Sequence, residues 1–216
     1  MKAMKRVAGL SAAQALGVYV AVIGVPKWTS LGSLEEHHPD NLAVVTSIVA
    51  SLMLGLHVAL PLVWRTAQMS HFTVQQAIGS LGLTLASVGV IHVILIFFGA
   101  PVLDLFQRTL LLATYLAFMA VLPLTSALGL VHAHEYVETI LHQRWRNHGE
   151  RQGTCTFVGT LLGAYIGALL LPLDWDRPWQ QWPLPCVYGA VYGQIAGLVV
   201  ATGLLVAQTQ VVKRHD

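Results

Sequence analysis

Six runs along this 216-residue chain carry no Asp, Glu, Lys or Arg, at 7–25, 42–64, 78–98, 109–131, 154–173 and 187–207. A hydrocarbon core of about 30 Å is crossed by about 20 apolar residues in helical form. A helix at the surface of a soluble bundle shows polar positions at helical spacing along one face. These runs are apolar all round, which argues against a soluble bundle. Within lipid, each backbone N–H and C=O must be paired inside its own segment, so the runs are expected to be helices. The pattern predicts an all-α, polytopic membrane protein with six transmembrane helices in a single bundle over 1–216. Lys2, Lys5 and Arg6 precede the first run, as in a signal peptide. That run is longer than an h-region of about 7–15 residues, and Pro26-Lys27-Trp28 is no small-x-small cleavage site, so it is read as a retained helix.

Composition sharpens this reading. Apolar residues make up 55% of the chain and charged ones 10%, against about 25% charged in an ordinary soluble domain. Mean hydropathy is +0.64. A disordered chain and a coiled coil are excluded, and a net charge of +2 is too small for binding a nucleic-acid backbone. Basic residues are retained on the cytoplasmic side of short loops. With the N-terminus inside, Lys2, Lys5, Arg6, Arg65, Arg144, Arg146, Arg151, Lys213 and Arg214 lie inside, and Lys27, Arg108 and Arg177 outside. Both termini are then cytoplasmic. Trp28, Trp64, Trp145, Trp175, Trp179 and Trp182 fall at or beyond run ends, where amphipathic rings favour the interface. Connecting segments are too short for a soluble domain. Cys155 and Cys186 fall at opposite membrane faces, beyond disulfide reach, and read as small buried residues.

Two glycine ladders stand out. Gly159, Gly163 and Gly167 lie in the fifth run, and Gly189, Gly193 and Gly197 in the sixth. Each is a doubled G-x-x-x-G, a face that lets helix backbones approach closely. In an antiparallel hairpin one register pairs Gly167 with Gly189, Gly163 with Gly193 and Gly159 with Gly197. This favours packing inside the chain over a ladder offered to another protein. Between the ladders lie Asp174, Trp175, Asp176, Arg177, Pro178, Trp179, Gln180, Trp182 and Pro183. Prolines stiffen this loop, and tryptophans place it at headgroup level. Arg177 has Asp174, Asp176 or a lipid phosphate as candidate partners. The two carboxylates suit a metal or acid–base chemistry, but the prolines and tryptophans favour a shape-forming element.

This loop and its flanking glycines resemble the signature of the phosphatidylinositol-glycan biosynthesis class F (PIG-F) family. A second stretch, His92 with Gly99, Ala100, Pro101 and Asp104, resembles that family's other recurrent block. The resemblance is specific over 91–108 and 159–198. It implies an endoplasmic-reticulum membrane protein of glycosylphosphatidylinositol (GPI) anchor assembly. Such a protein is a non-catalytic accessory subunit that binds and stabilises the catalytic ethanolamine phosphate transferases. It further implies that the 174–183 loop is luminal and contacts the transferase subunits or the GPI precursor lipid.

Other polar residues read more plainly. His57 suits an interhelical hydrogen bond, while His92 stands open between that role and a partner or lipid contact. Glu35-Glu36-His37-His38-Pro39-Asp40 reads as a solvated loop, because neighbouring residues on a loop rarely converge on a metal. His132, His134, Glu135, Glu138 and His142 read as the polar extension of the fourth helix rather than a zinc site, since the H-E-x-x-H pair is absent. Pro123 is a weak helix break. No nucleophile-elbow, Walker or dinucleotide motif appears, so no catalytic residue, metal or cofactor is assigned. The rival classes are a membrane enzyme using Asp174, Asp176 and His92, or a lipid carrier, acting directly on the GPI precursor.

Overall fold

The computed structural model describes residues 2–29, 33–36, 38–63, 72–101, 103–173 and 175–215; side chains of 2–6, 209 and 211–215 lie outside this description. The described residues are all helix, turn and irregular chain, without strands. Helix α1 comprises Lys2–Tyr19, a π turn Val20–Gly24 and Val25–Trp28. Helix α2 comprises Asp40–Leu54, a π turn Gly55–Ala59 and Leu60–Val63. Helix α3 is Val74–Phe97. Helix α4 comprises Phe106–Leu116, a π turn Ala117–Val121 and Leu122–Leu128. Then follow α5 (Ala133–Leu141), α6 (His148–Ala168) and α7 (Leu184–His215).

Among the described residues, five segments are long and apolar enough to cross a membrane: Val7–Trp28, Asp40–Val63, Val74–Phe97, Phe106–Leu128 and Leu184–Gln208. Helix α6 falls outside this set because Glu150 and Arg151 stand in its first turn and its glycines bring no apolar side chain. Its position also differs from the expected 154–173. Asn147 caps it, the side-chain oxygen accepting from Glu150 N–H at 2.9 Å. The Glu150 carboxylate accepts in turn from Arg146 N–H at 2.7 Å and Arg146 Nε at 2.9 Å. A satisfied cap of this kind starts a helix early. The other end closes at Ala168, where Leu170 N–H already turns back to the Gly167 carbonyl.

Gly129 ends α4. Its φ of +73° suits a residue without Cβ, and its N–H bonds to the Thr125 carbonyl at 2.8 Å. The 132–142 cluster is therefore a separate helix, α5, rather than an extension of the fourth. Tyr136 anchors α5 by donating its hydroxyl to the Gly129 carbonyl at 2.8 Å.

Pro26, Pro61 and Pro123 each follow a π turn by two residues. Proline has no N–H and crowds the carbonyl four residues earlier, and a widened turn relieves that contact. Pro123 thus bends nothing apart. The carbonyl it cannot serve, that of Met119, accepts from buried Gln194 Nε2 at 3.1 Å. This bond ties α4 to α7. Helix α4 is the mast of the bundle: Leu112, Tyr115, Met119 and Leu122 are sealed against Leu42, Val45, Val49 and Met53 of α2 and Val187, Ala190 and Val191 of α7.

The tightest contact is between α6 and α7. A Cβ built on Gly163 would collide with the Gly189 carbonyl oxygen and stand 2.9 Å from the Gly193 Cα. One on Gly193 would collide with the Gly159 carbonyl and stand 2.9 Å from the Gly163 Cα. Gly159 meets the Gly193 carbonyl and lies 3.3 Å from the Gly197 Cα, and Gly189 meets the Gly163 carbonyl and lies 3.2 Å from the Gly167 N. At the ends, Gly167 faces Pro185 and Cys186, and Gly197 faces Cys155 and Thr156. Each glycine nests between two residues of the facing helix, so both ladders are consumed within the hairpin. Gly153 extends the contact to a third helix, its Cβ position lying 3.0 Å from both the Leu124 Cα and the Pro123 carbonyl oxygen.

Substitution separates these glycines from free ones. Gly163→Ala or Gly193→Ala pushes against backbone that cannot rotate away, and should destabilise by about 1–3 kcal/mol. Gly203→Ala, with nothing within 4 Å, should stabilise by up to about 0.5–1 kcal/mol. Thermal unfolding of the purified variants in detergent measures both.

Candidate interaction site

The turn between α6 and α7 is built around one side chain. Gln180 donates through Nε2 to the Leu170 carbonyl at 3.0 Å and the Leu173 carbonyl at 2.6 Å, and its Oε1 accepts from Arg177 N–H at 3.2 Å. The carbonyls past a helix end have no partner of their own, and this amide supplies one. Pro178–Gln180 form a single 3₁₀ turn. Trp179 packs edge-on against the exposed Trp175 at 5.8 Å between ring centroids. Asp176 adopts a φ of +45°, a conformation Asp tolerates better than most residues. Arg177 makes no ion pair with Asp176 among the described residues, and Asp174 lies outside them.

Trp182 fastens this turn to the rest of the bundle. Its Nε1 donates to Thr109 Oγ1 at 3.1 Å, and its carbonyl accepts from His38 Nε2 at 2.9 Å. Pro183, buried, follows on a cis peptide. Thr109 Oγ1 also reaches the Pro101 and Leu105 carbonyls, at 3.4 and 3.2 Å. The second family-like stretch thus meets the first through one threonine. Gly99, with φ of +93°, ends α3, and Ala100 is buried with its N–H on the Leu95 carbonyl at 3.0 Å. His92 stacks edge-on against Phe106 at 5.0 Å, its Nδ1 buried without a partner among the described residues. Asp104 is exposed. His57 is partly buried on α2, and its buried Nε2 has no hydrogen bond among the described residues.

The Glu35–Asp40 stretch is only in part the solvated loop expected: Glu36 and Asp40 are exposed, but other residues dock on the bundle. Leu34 is buried, Glu35 Oε1 accepts from Tyr188 at 3.5 Å, and His38 is half-buried on Trp182. His37 lies outside the described residues. Burial, with Arg108 nearby, holds the His38 imidazole below its ordinary range. No sequence signal pairs Trp182 with residues 144 and 73 positions away, so His38 and Thr109 could not be assigned from sequence. In the second polar cluster Glu138 pairs with Arg144 at 3.2 Å and Glu135 with Arg146 at 3.0 Å. No group of three potential metal ligands converges among the described residues.

Similarity to known proteins assigns the family. Residues 14–202 match the GPI biosynthesis protein family Pig-F. The chain belongs to that family. It is 36% identical over 110 residues to the human GPI ethanolamine phosphate transferase, stabilizing subunit, covering 51% of this chain and 50% of that protein. The mouse protein of that name is 30% identical over 171 residues, covering 78% and 77%. Glycosylphosphatidylinositol anchor biosynthesis protein 11 of Yarrowia lipolytica is 37% identical over 108 residues, covering 50% and 46%. The chain therefore spans about half the length of the human and Yarrowia proteins. No solved structure matches it.

His38 gives this junction a pH dependence of known sign. The folded chain favours the neutral imidazole, so the unfolded chain binds the proton more readily. The His38 contribution is full above the ordinary value of 6.5 and is lost as pH falls through it. The unfolding temperature should drop between about pH 7 and pH 5.5, and His38→Gln should flatten that slope.

Proposed function

We propose that this protein is a non-catalytic accessory subunit of GPI-anchor biosynthesis that binds and stabilises ethanolamine phosphate transferase catalytic subunits in the endoplasmic-reticulum membrane. The observation that carries the reading is the meeting of the two family-like stretches at Thr109 and Trp182, in a chain whose relatives are named stabilizing subunits. A turn fastened by amide and indole bonds is a rigid docking shape.

The same reading includes six membrane crossings with α6 as the fifth, and both termini in the cytoplasm. The distribution of Lys and Arg supports this, and it places residues 174–183 on the luminal side. There the turn braces the transferase or the GPI precursor lipid. The six ladder glycines are already packed within the α6–α7 hairpin, so the partner's helices meet another face. Helix α3 buries only Ala77, Ser80 and Thr84. It presents Gly82, Ala86 and Gly89 outward, with nothing within 4 Å of a Cβ at either glycine. A small-residue face of this kind lets a second transmembrane helix approach closely.

Co-purification in mild detergent tests the reading. Arg177→Ala should lower the amount of transferase recovered while leaving the specific activity of the surviving complex nearly intact. Gly193→Leu should lower it further by collapsing the hairpin. Gly89→Leu should reduce recovery of the transferase without reducing recovery of this chain. Normal transferase levels with lost activity, or ethanolamine phosphate transfer by the purified chain alone, would overturn the proposal.

A further inference from the structure

At the end of the bundle away from the tryptophan-rich turn, a groove of about 600 Å³ opens between α3, the linker after α4 and α5. Sites for small ligands fall within about 300–1,000 Å³. Leu83, Leu130 and Val131 form its apolar part, and His132, Glu135 and Tyr136 bring polar atoms. Leu130 lies against Gly79, where any Cβ would collide with its side chain. Tyr136 holds α5 in place through its bond to the Gly129 carbonyl. Leu83 lies about 13 Å along α3 from Val74, at about 1.5 Å per residue. The lining thus passes from polar atoms near the helix end to apolar ones within the crossing segment Val74–Phe97. Leu130, Val137 and Leu141 are exposed beside it, which suits the edge of a bilayer rather than bulk water. Glu135 is partly engaged. Its Oε2 accepts from Arg146 Nη1 at 3.0 Å, while its Oε1 has no hydrogen bond among the described residues. The Glu135 side chain is 29% exposed, so this second oxygen is within reach of a donor in the groove.

We propose that this groove binds one phospholipid whose headgroup carries an N–H-bearing ammonium, with Glu135 Oε1 as its acceptor. An acyl chain lies along Leu83, Leu130 and Val131, and the headgroup sits at the polar rim. A primary ammonium offers three N–H donors, and a bond from it to a carboxylate oxygen is charge-assisted. A trimethylated ammonium offers no donor, and a glycerol headgroup brings no cation to the carboxylate. His132 lines the same rim and can donate a ring N–H to the phosphate ester. The site is built from α3, α5 and their linker, so it stands whether or not the accessory-subunit reading holds.

Native mass spectrometry and thermal unfolding of the full chain in mild detergent test this. Phosphatidylethanolamine, phosphatidylcholine and phosphatidylglycerol with matched acyl chains are added separately. One phosphatidylethanolamine should be retained and should raise the unfolding temperature. The other two should bind at least about fivefold more weakly. Glu135→Gln should weaken phosphatidylethanolamine to the level of phosphatidylcholine. Glu138→Gln, which removes the neighbouring pair with Arg144, should leave retention unchanged. Should Glu135→Gln fail to fold, Leu83→Trp serves instead: residue 83 is 39% exposed, so the larger ring fills the groove without entering the core. It should abolish the adduct at a near-normal unfolding temperature in the absence of lipid. Equal retention of the three lipids by the wild-type chain, retention of none, or undiminished phosphatidylethanolamine binding in folded Glu135→Gln or in Leu83→Trp would overturn the proposal.

Discussion

The direct apposition of two helix backbones governs this molecule. Along α6 and α7 no side chain separates the main chains, and each glycine sits where any Cβ would strike a carbonyl or a Cα. Attraction there comes from many close atom pairs rather than from expelled water, which lipid does not supply. Such a contact has little freedom to slide, because each glycine is held between residues of the other helix. The turn joining the helices must therefore begin and end at fixed points. Gln180, serving two carbonyls of the descending chain and one N–H of its own turn, makes that reversal rigid.

From this hairpin the rest of the bundle is organised around α4. Gly153 brings the start of α6 onto the Pro123 turn, while Gln194 reaches the Met119 carbonyl from α7. Buried Gln14 links α1 to its neighbours, accepting from Gln152 at 3.3 Å on α6 and facing Met53 on α2. Gln14, Gln152 and Gln194 thus spend their amides on helix-to-helix bonds, whereas the buried hydroxyls of Ser80, Thr154 and Thr156 bond back to carbonyls of their own helix. Three prolines are accommodated by local widening, so these helices remain continuous through them.

Much of the helical layout was legible in the charge-free runs, since helix is the open-chain form whose backbone satisfies itself in lipid. The ladders were legible as a repeat of four. Boundaries were less so: Asn147 and Glu150 start α6 within a stretch that reads as polar loop, and Gly129 ends α4 inside an unbroken apolar run. The Pro residues were visible, but spacing alone does not reveal that a π turn precedes each one. Most hidden were the partners of the tryptophan-rich turn. Thr109 and His38 are ordinary residues whose importance comes from where the chain returns in space. Glu35 and His38 looked solvated because their neighbours are polar, and only their docking on Tyr188 and Trp182 reveals otherwise.

The two mouths of the bundle are closed by different chemistry. One is held by amide, indole and hydroxyl groups around Gln180 and Trp182. The other is laced by Arg144 with Glu138 and Arg146 with Glu135, pairs that remain largely open to solvent. Dissolved ions screen the second kind of fastening and leave the first alone. Rising ionic strength would therefore loosen the arginine-bearing mouth first, while the opposite mouth kept its form.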